Sequence, residues 1–201
     1  MPNVAQTEEI KEAILDAADR MLASYGYKKM TIDDLAREVG IGKGSVYLHF
    51  PSKREIAMAH IHRIVDRVKK ELNQIADSPR VAPSEKLRRM LTARVLVRFD
   101  NMKHYKRNIN EILADLRPQL LESRERYFNE EAEIFARVIE KGQENGIFQT
   151  GDAMELAGSF LLATNALMPS ALTVRELGKK GEVKEKVLRL ADLMLKGLEK
   201  K

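Results

Sequence analysis

Two enforced helix stops, Gly40 and Pro51, enclose a segment with room for one short helix, and no other feature constrains the fold of the N-terminal part so tightly. Glycine takes the left-handed backbone conformation that ends a helix, while proline removes a helical N–H and clashes with the turn before it. Before Gly40, MTIDDLAREV reads as a helix in its own right. Thr31 is its N-cap, Asp34 stands at the reciprocating position of a capping box with a shorter acid than usual, and Met30 with Leu35 makes the flanking hydrophobic staple. Ile32, Leu35, Ala36 and Val39 form the buried face. After Pro51, Ser52 and Glu55 make an S-x-x-E box that opens a further helix. The expected order is therefore helix, tight turn, short helix, long helix.

The flanking segments extend this pattern. Ile10, Ala13, Ile14, Ala17, Ala18, Met21, Leu22 and Tyr25 recur at the spacing of one helix face, with Thr7 to cap the start and Gly26 to end it. The helix opened at Ser52 carries Ile56, Ile61, Ile64, Val65, Val68, Leu72 and Ile75, enough to leave a first small core and enter a second. ADSPRVAPS, with two prolines, is the expected seam. Beyond it, EKLRRMLTARVLVRFDNMK is apolar nearly all round, as a central buried helix is. HYKRNINEILADLR is expected to stop before Pro118. A long helix then runs through Leu120, Tyr127, Phe128, Ile134, Phe135, Val138 and Ile139 to Gly146. Asp152 and Glu155 start the next, which ends by Pro169, and the last spans about Val183 to Leu198. No strand pattern or tandem repeat is found. The expected class is all-α, with an N-terminal three-helix domain at 1–53, a larger helical domain at 54–201, and the helix from about 52 to 76 linking them.

The chain has 201 residues, 44% of them apolar, and a formal net charge of +5. It can bury a sizeable core, and the charge permits a nucleic-acid partner without requiring one. Up to residue 50 acids outnumber bases, so any nucleic-acid case must rest on where the cations lie. No stretch has the length of a membrane span, and MPNVAQTEEIKEAI lacks the apolar run of a signal peptide, so a cytoplasmic protein without membrane contact is expected. Zero cysteines exclude disulfides and thiolate chemistry. His60 and His62 fall on different sides of a helix, and His49 and His104 have no ligand-spaced companions, so no metal or other cofactor is expected. Glu130, Glu131 and Glu133 read as a solvated face rather than catalytic carboxylates. Ser159 and Ser170 lack a nucleophile elbow, so an enzyme is not expected.

GIGKGSVY, at residues 40–47, invites comparison with phosphate-binding loops. It fits neither G-x-x-x-x-G-K-[ST], since Gly44 follows Lys43, nor the kinase glycine loop, whose third glycine comes one residue later. Both also follow a β-strand, and the preceding segment here is helical. A helix-turn-helix frame accounts for each residue instead. Gly40 makes the turn, small Ala36 allows close helix approach, and Ile41, Val46 and Phe50 pin the second helix from inside. Gly42, Lys43, Gly44 and Ser45 then lie at a helix start suited to a major groove, where short and polar groups meet base edges.

The run YGY followed by TIDDLAREVGIGKGSVYLHFPSKREI resembles the DNA-binding domain of the tetracycline-repressor-type (TetR) transcriptional regulators over roughly residues 10 to 57. Gly26, Thr31, Ala36, Gly40, Ser45, Tyr47, Phe50 and Lys53 fall in one register. That resemblance implies a homodimeric regulator, expected to be a repressor, on double-stranded DNA with a palindromic operator. Gly42, Lys43, Gly44, Ser45 and Leu48 would line the groove face, with Lys43 reading guanine. Thr31, Tyr47, His49 and Lys53 would hold phosphates.

The resemblance also implies effector binding and dimerisation in the larger domain. Pairing is expected through the last two long helices, where Ala157, Gly158, Ala163 and Ala166 allow close approach and Phe160, Leu161, Leu167, Leu190, Met194 and Leu198 supply apolar area. A small apolar or amphipathic effector is expected among Met90, Arg94, Phe99, Met102, Tyr105, Asn108, Tyr127, Phe128, Asn165 and Met168. Arg94 and Arg98, four apart on an apolar helix, fit an anionic ligand or pairing with acids on a neighbouring helix; the second is favoured. The alternative function is a DNA-bound adaptor of the same fold that recruits a protein and has no small-molecule effector.

Overall fold

A computed structural model describes residues 4–102, 109–168 and 178–200; for Val4, Met102 and residues 109–115 it describes the helix but not the side chain. Among the described residues the elements are α1 (Val4–Ser24), α2 (Ile32–Val39), α3 (Lys43–His49), α4 (Lys53–Ala76), α5 (Pro83–Met102), α6 (Ile109–Glu144), α7 (Ala153–Asn165) and α8 (Lys180–Leu198). An isolated antiparallel bridge pairs Phe148 with Glu199. The expected all-α class is what is observed.

By packing, the chain divides into one compact unit of Met1–Ile64 with Lys103–Glu122 and a second of Val65–Met102 with Ser123–Lys201. The division within the linking helix falls at Ile64 rather than residue 53, because Ile56, Ala57 and Met58 are buried with the first unit's core. In the first unit α1, α2 and α3 pack on one another. Ile14, Ala18, Leu22, Met30, Leu35, Val46 and Phe50 are buried there. Arg63 ties α4 to α1, its guanidinium 2.6 Å from Asp16 and 3.2 Å from Glu12. Burial pulls that guanidinium's pKa down, but its hydrogen bonds to Asp16 and Glu12 outweigh this and leave it raised.

Local signals set the ends of the short helices. Thr31 Oγ1 accepts from the Asp34 N–H at 3.1 Å, Ser52 Oγ from Glu55 at 3.2 Å, and Asp152 Oδ1 from Glu155 at 2.9 Å. Gly40, at φ 77°, places the Ile41 N–H on the Ala36 carbonyl at 2.9 Å, which ends α2 and aims α3. Other boundaries differ from expectation. The α1 helix begins at Val4, ahead of Thr7, so Thr7 lies inside it rather than capping it. The α8 helix begins near Lys179, whose N–H donates to Glu182 at 3.2 Å, one turn before Val183.

The largest difference is at Pro118, which does not stop a helix but lies inside α6. An interior proline costs about 3 kcal/mol, a local penalty. Strong helix formers continue on both sides, in EILADLR and QLLESRER, and carry the helix through it. The α7 helix ends at Asn165, ahead of Pro169, which itself lies outside the described residues.

The second unit's core joins α5 to α7 and α8. It contains Leu87, Met90, Leu91, Phe135, Ile139, Phe148, Ala157 and Leu161. The sequence EKGQENGIF has a specific role there. Gly146, at φ 70°, turns the chain after α6. Gly142 lets the buried Phe148 ring close on the helix backbone, since a Cβ on Gly142 would stand 2.0 Å from the ring. Gly142→Ala is therefore expected to destabilise the unit by about 1–3 kcal/mol through overpacking, despite alanine's better helix propensity. Thermal denaturation checks this, and an unchanged or higher melting temperature would contradict it.

Candidate nucleic-acid interface

The α2–turn–α3 region presents one side of a short helix to solvent and anchors the other. Val46 and Phe50 are buried, and the Phe50 N–H donates to the Val46 carbonyl at 2.9 Å. Gly42 forms the N-cap of α3 with extended backbone, and its carbonyl accepts from Ser45 at 2.9 Å. Lys43, Gly44, Tyr47 and Leu48 face outward, with Tyr47 46% and Leu48 86% exposed. Ser45 and His49 are half-buried. A helix with a fixed inner edge and an outer edge of Lys, Gly, Tyr and Leu can offer hydrogen bonds and one apolar contact to a groove.

The three glycines separate by cause. Gly40 has a positive φ and cannot be replaced without strain, whereas Gly42 has an ordinary φ of −72°. An added Cβ on Gly42 or Gly44 would meet nothing within 4 Å. Nothing inside the described residues requires glycine at these two positions.

The cations are less available than their sequence positions suggest. Lys43 Nζ donates to Asp33 Oδ2 at 2.8 Å, and that hydrogen bond, followed by Asp33's charge, raises the lysine's pKa. Lys53 Nζ donates to the Tyr27 carbonyl at 3.0 Å and lies 4.4 Å from the Tyr27 ring centre, so it braces the loop between α1 and α2. Thr31 Oγ1 accepts from the Asp34 backbone and donates to the Asp34 carboxylate at 2.6 Å. Its one O–H is committed. In this arrangement a phosphate at the start of α2 would be held by backbone N–H groups rather than by that hydroxyl.

In the second unit the residues expected around an effector fall into two groups. Met90, Arg94, Phe99 and Met168 are buried; Tyr127, Phe128 and Asn165 are half-buried. The Met102 side chain, Tyr105 and Asn108 lie outside the described residues. Grooves of about 470 Å³, between Lys69, Glu133 and Met154, and about 400 Å³, between Ser84, Arg88 and Lys196, include none of the ten.

Arg94 instead anchors a buried ionic network. Its Nε meets Glu131 Oε2 at 2.7 Å, Nη1 meets Thr164 Oγ1 at 2.8 Å and the Leu161 carbonyl at 3.2 Å, and Nη2 meets Asn165 Oδ1 at 2.9 Å. Arg98 donates to the other Glu131 oxygen and to the Arg94 carbonyl. Burial, opposed by Glu131, pushes the Arg94 guanidinium down to about 10, so it keeps its charge near neutrality. Pairing with an acid on a neighbouring helix, the favoured reading of the two arginines, is the one observed.

Glu131, expected on a solvated face, is buried, and this corrects the sequence reading. Its spacing from Ile134, Phe135 and Val138 puts it on their apolar stripe, a signal present in the sequence and outweighed by its charge. Thr164 and Asp33 carry no comparable signal in the sequence, since their partners Arg94 and Lys43 come from other helices. Glu130 pairs with Lys69 at 2.7 Å and stays partly exposed. Among the described residues no helix is long and apolar enough to cross a membrane.

Two helices crossing through a glycine turn, with an outward second helix, define a helix-turn-helix domain, here followed by an all-helical unit. Residues 14–59 match the family described as bacterial regulatory proteins, tetR family, which places the helix-turn-helix segment among that family's N-terminal domains. The HTH-type transcriptional regulator SrpR of Pseudomonas putida is 38% identical over 55 residues, 27% of this chain and 26% of SrpR. The chain thus spans about a quarter of SrpR's length in that match. A transcriptional regulator from Cytophaga hutchinsonii superimposes with a TM-score of 0.78 at 24% identity, covering 94% of this chain and 98% of that one. SmeT in complex with triclosan superimposes at 0.71 and 21% identity, covering 96% and 92%. SmeT is the repressor of the Stenotrophomonas maltophilia multidrug efflux pump SmeDEF. These two likenesses, both under 25% identical, show the fold alone, over more than nine-tenths of the chain.

Proposed function

We propose that this protein is a sequence-specific DNA-binding transcriptional regulator that acts as a homodimeric repressor on a palindromic operator and is released by a small apolar or amphipathic effector. The observation that carries DNA binding is Gly44, within α3. Glycine costs a helix about 1 kcal/mol relative to alanine. The fold draws no benefit from it at Gly44, where a Cβ would meet open space. Close approach to an outside surface accounts for that cost, and the outward Lys43, Tyr47 and Leu48 beside it give that surface the chemistry of a DNA groove. Lys43, Gly44, Ser45 and Leu48 are assigned to base edges, and Tyr47, His49, Lys53 and the start of α2 to phosphates.

Gly44→Ala is the test, because fold and function predict opposite signs. The substitution is expected to raise the melting temperature by about 2–4 °C. Its affinity for duplexes selected by the wild-type protein from a random pool is expected to fall about tenfold or more, the cost of holding the helix off one or two base contacts. Unchanged affinity would remove the reason for the glycine and with it this assignment.

Effector release is supported by SmeT, a repressor of the same fold seen with triclosan. In this chain Met90, Phe99 and Met168 are packed, so an entering ligand must displace them, and methionine is the side chain best suited to that. Arg94 has four of its five N–H groups on Glu131, Thr164, Asn165 and the Leu161 carbonyl, which leaves at most one to orient a ligand without breaking that network. The adaptor reading has no observation in its favour. The α4 helix is the proposed lever, because Ile56 and Met58 belong to the first unit's core while Val68 and Leu72 belong to the second's. A ligand shifts the DNA-binding state only by its differential affinity for the two conformations.

A further inference from the structure

Asp33 lies in the first turn of α2, and its carboxylate accepts from Lys43 Nζ across the glycine turn at 2.8 Å. Both side chains are more than half exposed, so the pair contributes little to stability. Its position matters more than its strength. The neighbouring Asp34 is occupied by the Thr31 hydroxyl and by Arg37 at 3.3 Å, which leaves Asp33 as the acid that meets Lys43. An anion thus stands on the surface proposed to face a polyanion, beside the cation proposed to read a base.

We propose that Asp33 is a positioning residue for sequence readout: it tethers the Lys43 ammonium in a base-reading pose and withholds its charge from random phosphates. The proposal rests on the assignment of Lys43 to a base edge. An ammonium has three donors. With one on Asp33, two remain, matching the two acceptors, O6 and N7, of a guanine edge. A lysine on guanine keeps Asp33. One that swings to a phosphate must abandon Asp33 and leave a bare carboxylate next to the DNA backbone. Random sequences therefore bear a repulsion that the operator avoids. The same pairing removes Lys43 from counterion exchange, since a cation already neutralised within the protein displaces no ion from DNA.

The test is Asp33→Asn, which keeps an acceptor oxygen and loses the charge, titrated on wild-type-selected duplexes and on random-sequence duplexes over a range of salt. Freeing one lysine is expected to steepen the random-DNA salt slope by about 0.9, so that between 50 and 200 mM salt affinity falls about 3.5-fold more than in the wild type. Random-DNA binding at low salt is expected to tighten by about threefold or more, operator binding to change less, and the operator-to-random ratio to fall. Asp33→Glu, with the charge kept, retains the wild-type slope. Lys43→Ala lowers the ratio by itself, and in that background Asp33→Asn no longer alters slope or ratio. If Asp33→Asn changes neither quantity while Lys43→Ala lowers the ratio, the tether is refuted and the base assignment stands. An Asp33→Asn effect that persists in full without Lys43 refutes it also. A ratio untouched by Lys43→Ala overturns the base assignment itself, and the tether falls with it.

Discussion

Glu131→Gln is expected to cost about 3–5 kcal/mol of stability, because it leaves the buried Arg94 and the half-buried Arg98 without their shared counter-charge. Glu131 is nearly inaccessible, and both its oxygens are engaged, one by Arg94 and one by Arg98. Glutamine has nearly the same shape, so the loss measures charge rather than volume. The remaining partners of Arg94, namely Thr164, Asn165 and the Leu161 carbonyl, are neutral dipoles and cannot replace a carboxylate at 2.7 Å. For a chain of this size the cost corresponds to a fall in melting temperature of roughly 6–20 °C. Replacing Arg94, Arg98 and Glu131 together by apolar side chains of similar volume is expected to cost less than Glu131→Gln alone, since no charge is then left buried. Thermal unfolding of the two variants decides this, and a single variant as stable as the wild type would show that the network carries no net energy.

Leu162→Glu is expected to dissociate the proposed dimer while leaving the protomer folded. Leu162 on α7 is 61% exposed and Leu193 on α8 is 69% exposed, a large apolar area to leave in water. Met154, Gly158, Leu162 and Ala166 follow one another at intervals of one turn, a stripe with small residues that admits a close partner helix. On α8, Leu190 and Met194 are half-buried beside Leu193. In a two-fold interface each residue counts twice, and burying one leucine is worth about 1.5–3 kcal/mol. A pair of glutamates at that place would add like-charge repulsion to the lost burial. Light scattering should report a monomer, and affinity for the selected duplex should fall by about two orders of magnitude or more, toward that of one half-site. A dimer that survives Leu162→Glu places the interface elsewhere.

The starts of α2, α4 and α7 and the turn at Gly40 were legible because their signals act within about one turn. Thr31, Gly40, Ser52 and Asp152 each set a boundary through a hydrogen bond or a backbone angle involving residues no more than five positions away. The outward face of α3 was legible for the same reason, since Gly40 and the burial of Val46 and Phe50 leave it one orientation. Pro118 does not show its place from its own local penalty, because the helix formers on both sides of it outweigh that penalty. Glu131 misled because a charged residue on an apolar stripe is solvated or buried according to what another helix offers it.

The sequence by itself determined the all-helical class and the helix-turn-helix register, while the open space beside Gly44 is a finding of the tertiary structure. Tertiary structure alone decided who pairs with whom. Lys43 is held by Asp33, Lys53 by the Tyr27 carbonyl, and Arg94 by Glu131. Caps and turns depend on atoms that chain connectivity already keeps close, so residue order suffices to read them. Ion pairs between helices depend on distances that exist only once the helices have packed.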